Sequence, residues 1–387
     1  MANFENMTRD LIYLDNNATT SLDPEVLDAM RPYLQGLSGN ASSQHSIGRH
    51  ARRGIDIARR QIADGLHSDP RFILFVSGAT EANNLAILGA KIRPESTILT
   101  SPSEHPSVLE PVEQMRKRGH VTKGASLDHA GRILVPSAGE WNDVALAAVQ
   151  LANGETGTVQ DLPTIARALP TDCWLHCDAV QAVGKIAVDF PSLSASSLSV
   201  SAHKIHGPQG IGALIHRDEN PFRPLLFGGH QQMGMRPGTE PVAAIVGLGK
   251  AVELATQRLE ERRTQLQRLR NALEQGLLAC VDDIVVNGIA DHRVPNTTNI
   301  SFLGAKAEAL VMALDLAGVC CSAGTACASG SMEPSAVLRA MGFAGDRLES
   351  AVRFSVSRFT TDEEIHQAVR RIADVVSRVR RSVQSRS

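Results

Sequence analysis

Four polar features of the sequence stand at the ends of short apolar runs that read as buried strands. A turn of mostly small residues, Ser77–Glu81, follows FILFV, and His105 comes shortly after TILTS. Asp178 lies at the end of WLHCDAV, and the pair His203-Lys204 closes SLSVSAHK. In open α/β sheets, ligands bind in the crevice at the carboxyl ends of the strands. We therefore expect an amine, a carboxylate, an imidazole and an anion-binding turn to meet in one site.

Lys204 and Asp178 suggest chemistry on a ring cofactor. A lysine buried in a crevice has a lowered pKa, so its amine can form an imine with a carbonyl group. A carboxylate that loses its hydration needs a partner, and a pyridinium N–H is one that would keep the ring protonated as an electron sink. Alternatively, Lys204 extends to the surface, and Asp178 pairs with an arginine or caps a helix.

The turn and the histidine each have two readings. Small residues that open a helix offer free N–H groups and the positive end of the helix dipole, which suits a phosphate, and Thr80 adds a hydroxyl donor. An ordinary helix cap is the alternative. His105 can stack on a flat heterocycle or move protons, and it can equally be a loop histidine with its hydrogen bonds satisfied.

Two further candidates lie towards the C-terminus. Cys327 stands in CSAGTACASGSMEPS, where small residues and glycines predict an exposed loop, unlike the surroundings of an inert buried cysteine. A free thiol without a role is the alternative. Arg353 begins the run RFSVS, and its guanidinium could hold a substrate carboxylate through two hydrogen bonds or pair with a nearby acid.

The elements that would position these residues follow an α/β pattern. Between residues 72 and 216, six short apolar runs alternate with helical stretches, which predicts a mostly parallel sheet buried on both faces. Residues 243–279 read as one long helix or two joined helices, connecting to a smaller α+β region. We expect a large domain of residues 16–260 and a small domain of residues 1–15 plus 261–387.

Bulk composition excludes several classes of function. The 387 residues carry 39 basic and 41 acidic side chains, so the net charge of −2 gives no reason to bind nucleic acid or an anionic membrane. No run is apolar enough to span a bilayer, and the first residues do not read as a secretory signal. Six cysteines without a CxxC pair make a disulfide framework improbable, so a cytoplasmic location is expected.

Longer motifs carry a resemblance that covers nearly the whole chain. They are SGATEANNLAI, SEHPSVLEP, HCDAVQAVGK, SAHKIHGPQGIG, RPGTE and CSAGTACASGSMEPSAVLRAMG. Together they resemble the group I cysteine desulfurases of the NifS/IscS type. This resemblance implies a fold-type I enzyme dependent on pyridoxal 5′-phosphate (PLP), with a mostly parallel seven-stranded sheet in the large domain and a smaller α+β domain.

The resemblance also implies a role for each candidate residue. Lys204 would carry PLP as an imine, Asp178 would face the ring nitrogen, and Gln181 would contact the 3′-oxygen. His105 would stack on the ring, and Cys327 would take the sulfur of L-cysteine as a persulfide. Thr239 would reach the cofactor of the second subunit in a homodimer. The phosphate would be bound by Ala79, Thr80, Ser201 and His203. The substrate carboxylate would be bound by Asn153 and Arg353, and Asn153 would also contact the cofactor.

Other functions remain open at this point. A selenocysteine lyase would use nearly the same residues, and an aminotransferase would share Lys204 and Asp178 but would not need a mobile cysteine. A chain without catalytic activity could dock sulfur-accepting proteins. If the chain is a desulfurase, iron–sulfur scaffold proteins are the default acceptors. Cys320 and Cys321 precede the Cys327 loop and raise the question of a disulfide with it.

Overall fold

The computed structural model describes six stretches of the chain, namely residues 11–35, 39–137, 139–219, 222–289, 291–324 and 334–384. Cys327 lies outside them. Within these stretches, no helix combines the length and the apolar character needed to cross a bilayer.

The described residues form strands of two to seven residues. In chain order they are β1 (Ile12–Tyr13), β2 (Ile73–Val76), β3 (Thr97–Thr100), β4 (Val121–Gly124), β5 (Val144–Gln150), β6 (Trp174–Asp178), β7 (Ser197–Ser201), β8 (Gly212–His216), β9 (Ile284–Asn287), β10 (Thr297–Phe302), β11 (Val319–Cys320) and β12 (Ala351–Ser355).

Seven of these strands form the central sheet, in the spatial order β2-β8-β7-β6-β5-β3-β4. Only β8 runs antiparallel to its neighbours, β2 and β7. The predicted mostly parallel seven-stranded sheet is therefore confirmed. The sequence reading missed β4, because this edge strand is partly exposed and lacks the apolar run of the inner strands.

The helices begin and end as follows: α1 (Pro24–Leu34), α2 (Ser46–Leu66), α3 (Ala79–Leu88), α4 (Pro106–Lys117), α5 (Leu162–Ala168), α6 (Val242–Gln257), α7 (Leu259–Cys280), α8 (Ala307–Leu316), α9 (Ala336–Ala340), α10 (Gly345–Glu349) and α11 (Asp362–Gln384). The predicted connector over residues 243–279 is two helices, α6 and α7, which meet at Arg258.

Helices cover both faces of the central sheet. On one face, α2 and α6 share a hydrophobic cluster with alternate residues of β5 such as Ala147 and Val149. On the other face, α3 and α4 pack against Leu146 and Ala148 of the same strand. Burial on both sides explains why the inner strands are apolar without a polar alternation.

A second hydrophobic core lies beside a three-stranded antiparallel sheet of order β12-β10-β9. It contains Ile12 and Leu14 from the start of the described chain, together with apolar residues of α7, α8 and α11. Strand β1 pairs in parallel with β11 within this region. We retain a division near residue 260 as a proposal, since α7 begins there and faces the second core.

The topology brings several strand ends to one edge of the central sheet. Strands β2, β3, β5, β6 and β7 share one direction, because β8 is antiparallel to both β2 and β7 and the other pairs are parallel. The segments that follow these strands therefore meet at a common crevice, as the strand-end rule predicts.

Candidate active site

A cavity of about 650 Å³ lies at this edge of the sheet. It is lined by ten residues that the sequence singled out, drawn from the ends of five strands and from β12. They are Ala79, Thr80, His105, Asn153, Asp178, Gln181, Ser201, His203, Lys204 and Arg353.

Lys204 ends the short 3₁₀ turn that follows β7. Its Nζ donates hydrogen bonds to the main-chain oxygens of Asn17 and Ala18, at 2.6 and 2.7 Å. These carbonyl groups hold the amine at the cavity wall instead of letting it extend to the surface. Burial, reinforced by the nearby charge of Lys204, lowers the pKa of His203 to about 4, so this imidazole is neutral at pH 7.

Asp178 lies at the end of β6 with 7% of its surface exposed. Its Oδ1 accepts from the main-chain N–H of Val180 at 3.0 Å, and its Oδ2 accepts from Asn83 Nδ2 at 2.9 Å. Each carboxylate oxygen is therefore held by one donor. The sequence reading did not single out Asn83, which lies on α3, 95 residues before Asp178.

His105 is the N-cap of α4, and its Nδ1 accepts the main-chain N–H of Ser107 at 3.1 Å. The Ser107 hydroxyl lies 2.8 Å from the same nitrogen. Burial lowers the pKa of His105, with opposing contributions from Asp178 and Lys204. The ring is therefore neutral at pH 7 and, because Nδ1 accepts, carries its proton on Nε2.

The N-terminus of α3 forms another wall of the cavity. Its N-cap residue is Gly78, which has no side chain with which to cap the helix. The first-turn N–H groups therefore remain available to an anion. Gly212 of β8 lies behind this turn. A Cβ at Gly212 would be 2.8 Å from the Cα of Gly78, so a larger residue would push the turn away from the sheet.

Arg353, on β12, lines the cavity with its guanidinium fixed by two acceptors. Its Nη2 forms an ion pair with Asp15 Oδ1 at 2.7 Å, and its Nη1 donates to the main-chain oxygen of Gly154 at 3.2 Å. Its buried Nε has no hydrogen-bond partner within the described stretches. Nearby, Asn153 donates from Nδ2 to the main-chain oxygen of Ser103 at 3.2 Å. Asp15 and Ser103 are contacts that the sequence did not indicate.

Two buried groups near the cavity were also missed. Lys185 donates to Gln181 Oε1 and to Asn17 Oδ1, and burial followed by the charges of Lys204 and Arg353 places its pKa well below the usual value. Glu104 lines the cavity, and neither carboxylate oxygen has a hydrogen-bond partner in the part of the chain that is described. Burial, with the charge of Asp178 adding, raises the pKa of Glu104 well above its usual range.

Thr239 and the cysteines fall outside the cavity or outside the described residues. Thr239 is exposed in the segment before α6 and does not line the cavity. The five described thiols, which do not line it either, all have a pKa raised chiefly by burial. None of these five is a thiolate at neutral pH. The predicted nucleophile, Cys327, belongs to a stretch of which nothing is described.

Comparison with known proteins decides the family. The model of the aminotransferase class-V family matches residues 12–368. A cysteine desulfurase of Trichormus azollae is 44% identical over 375 residues, which are 96% of this chain and 94% of the relative. The chain belongs to the class-V aminotransferase family, in its cysteine desulfurase branch. The predicted family and fold class are thus confirmed.

Other relatives of this class-V chain agree. The cysteine desulfurase NifS of Azotobacter vinelandii is 42% identical over 376 residues, covering 95% of this chain and 93% of NifS. A solved NifS-like protein superposes with a TM-score of 0.88 at 31% identity, covering 95% of this chain and 99% of the other. A NifS-like protein of Rickettsia africae gives a TM-score of 0.84 at 29% identity, with coverage of 95% and 99%.

Proposed function

We propose that this protein is a PLP-dependent cysteine desulfurase that converts L-cysteine to L-alanine and leaves the sulfur on Cys327 as a persulfide. The observation that carries the proposal is the convergence of Lys204, Asp178 and His105 on one cavity that also contains the N-terminus of α3. Family membership supports the same activity and the same cofactor.

The residues present fit PLP in three places. The uncapped N–H groups of α3, with Thr80 and Ser201, suit the phosphate, and the Asp178 carboxylate suits a protonated ring nitrogen. Lys204 offers the amine that attaches the aldehyde carbon. Gln181 lines the same wall and would contact the 3′-oxygen. When bound, PLP supplies an electron sink for the electrons of a broken Cα–H bond.

The chain's own groups orient the substrate and move its protons. Arg353 and Asn153 would hold the carboxylate of L-cysteine, since both side chains line the cavity. The amine of Lys204, or His105, would take the α-proton of the substrate. His105 would stack on the ring, and its Nε2–H makes it a hydrogen-bond donor in the resting protein.

Sulfur transfer needs a thiolate. The Cys327 Sγ would attack the substrate sulfur, so that an S–S bond forms while the substrate Cβ–Sγ bond breaks. The electron pair of that bond stays with the carbon skeleton, which takes up protons to become alanine. An unperturbed thiol is only a few per cent ionised at neutral pH, so a proton acceptor near Cys327 would be required.

The assembly and location are further parts of the proposal. We propose a homodimer in which Thr239 contacts the cofactor of the second subunit. Phe227 supports the dimer because its apolar side chain is 86% exposed in a single subunit and would be covered by a second one. Phe227 and Thr239 both lie in the segment that connects β8 to α6. We also propose a cytoplasmic location and an acceptor of the iron–sulfur scaffold type. The near-neutral net charge of −2 favours neither nucleic acid nor an anionic membrane as a partner.

Stoichiometry tests the activity. The purified protein, incubated with L-cysteine and a reductant, should produce alanine and sulfide in a one-to-one ratio. Faster turnover of L-selenocysteine would favour a selenocysteine lyase, and consumption of a keto acid would favour an aminotransferase. A colourless protein that binds no PLP would instead support the docking role without catalysis.

A further inference from the structure

A continuous hydrogen-bonded network of side chains runs behind the cavity wall. Trp174 Nε1 contacts Ser197 Oγ at 3.2 Å, and Ser197 Oγ contacts His176 Nδ1 at 2.8 Å. His176 Nε2 contacts Asn83 Oδ1 at 2.9 Å. From Asn83 the network divides, one branch reaching Asp178 and the other reaching His105 through Ser107.

The direction of each bond follows from its ends. At one end the Asp178 carboxylate can only accept, which requires an N–H of Asn83 to face it and leaves Asn83 Oδ1 facing His176. Asn83 Oδ1 can only accept, so His176 donates to it from Nε2. Burial lowers the pKa of His176 to about 3, so the ring is neutral and its Nδ1, which then has no proton, accepts from Ser197 Oγ. Ser197 Oγ in turn accepts from Trp174 Nε1–H, which can only donate.

The oxygen and both N–H groups of the Asn83 carboxamide thereby form hydrogen bonds. Its oxygen accepts from His176, one N–H donates to Asp178 Oδ2, and the other donates to Ser107 Oγ at 2.9 Å. The Ser107 hydroxyl then donates to His105 Nδ1. Asn83 is completely buried, and its side chain reaches Asp178 directly and His105 through Ser107. The sequence offered no signal for this position.

We propose that Asn83 is a positioning residue that aligns the Asp178 carboxylate and orders the Ser107–His105 pair for cofactor binding. The assignment rests on the proposed function in so far as these groups bind PLP. Aspartate at position 83 would keep the shape but replace both N–H donors with an oxygen 2.9 Å from the Asp178 carboxylate. Two carboxylates at that separation share a proton, so the variant gains one titration in addition to those of the wild-type site.

PLP binding to the cofactor-free protein tests the assignment, with Asn84 as the matched control. Asn84 is the next residue of α3 and donates only to the main-chain oxygen of Thr80, at 2.8 Å. Asn83→Leu should weaken PLP binding roughly ten- to hundredfold, the loss expected for hydrogen bonds to a charged group, whereas Asn84→Leu should change it less than about threefold.

The pH dependence separates positioning from packing. For Asn83→Asp, the ratio of the mutant to the wild-type dissociation constant should change severalfold between about pH 6 and pH 9, because a shared proton is bound or lost. For Asn84→Asp, which adds the same charge away from Asp178, the ratio should stay constant. Equal behaviour of the two aspartate variants, or wild-type affinity in Asn83→Leu, would overturn the assignment.

A readout without PLP distinguishes this inference from the proposed function. In the cofactor-free wild-type protein labelled with ¹⁵N-histidine, NMR should show His176 neutral at pH 7 with its proton on Nε2. A proton on Nδ1 would reverse the network and overturn the role of Asn83 even if the protein is an active desulfurase. Failure of the wild-type protein to bind PLP, with the His176 tautomer as expected, would instead overturn the proposed function.

Discussion

Replacing Arg353 with glutamine should separate its role in substrate binding from its role in the fold. The guanidinium donates to Asp15 and to Gly154, and Arg353 lines the cavity. Two charge-assisted hydrogen bonds to a substrate carboxylate contribute about 1.5 kcal/mol each at the low end. Their loss, about 3 kcal/mol, should raise the KM for L-cysteine roughly a hundredfold.

The same substitution also breaks a buried ion pair. The side chains of Arg353 and Asp15 are 6% and 16% exposed, so Asp15 would be left with little hydration to replace its partner. Removal of one partner of such a pair costs about 3 kcal/mol in the free energy of unfolding. A change in KM alone therefore does not prove a contact with the substrate, and a control with the same structural cost is needed.

Arg358→Gln supplies that control. Arg358 pairs with Asp23, and the two side chains are 20% and 2% exposed, but Arg358 does not line the cavity. Urea unfolding should show comparable destabilisation of the two variants, while steady-state kinetics should show a raised KM in Arg353→Gln alone. Equal KM values in the two variants would refute the inference that Arg353 binds the substrate carboxylate.

Two more predictions concern the thiol and the buried histidines. Cys327→Ala should keep the visible absorbance of bound PLP and still bind L-cysteine, yet release little sulfide under reductant; full sulfide release would remove Cys327 from the mechanism. The pKa of His176 is about 3, and those of His203 and His206 are about 4, all lowered chiefly by burial below the value near 6.5 of an unfolded chain. Their stabilising contribution is complete above about pH 6.5 and is lost as the pH falls from there, towards about 4 for His203 and His206 and towards about 3 for His176, because the unfolded chain binds protons that the folded chain does not. Urea unfolding at stepped pH gives the free energy of unfolding as a function of pH. Its slope should be about 1.4 kcal/mol per pH unit smaller in His176→Asn than in the wild type, and equal slopes would contradict a neutral buried His176.

The sequence predicted the residues whose position follows from local pattern. Strands β2, β3, β5, β6 and β7 are apolar runs with a polar residue at or just after the end, so their direction in a parallel sheet was enough to bring Asp178, Lys204 and His105 together. The edge strand β4 was missed because its packing does not demand an apolar run. Helix α3 was expected from its small-residue start.

The missed residues act through contacts that have no sequence signature. Asn83 meets Asp178 across 95 residues, and Asp15 meets Arg353 across 338 residues. Nothing in the local sequence distinguishes Asn83 or Asp15 from other polar residues. Each acquires its role because the fold of the sheet and of the second core brings it beside a charged group. Lys185 and Glu104 owe their shifted pKa values to burial that only the folded chain reveals. The supporting contacts of the site could therefore not be read from spacing alone.

The attachment point of PLP tests the central claim most directly. Lys204 and Lys185 both lie at the site, and both Nζ atoms contact Asn17. Borohydride reduction of the PLP-bound protein, followed by peptide mass mapping, should place the phosphopyridoxyl group on Lys204, and Lys204→Ala should abolish the covalent label. A label on Lys185, or undiminished labelling of the Lys204→Ala protein, would contradict the assignment on which the proposed mechanism depends.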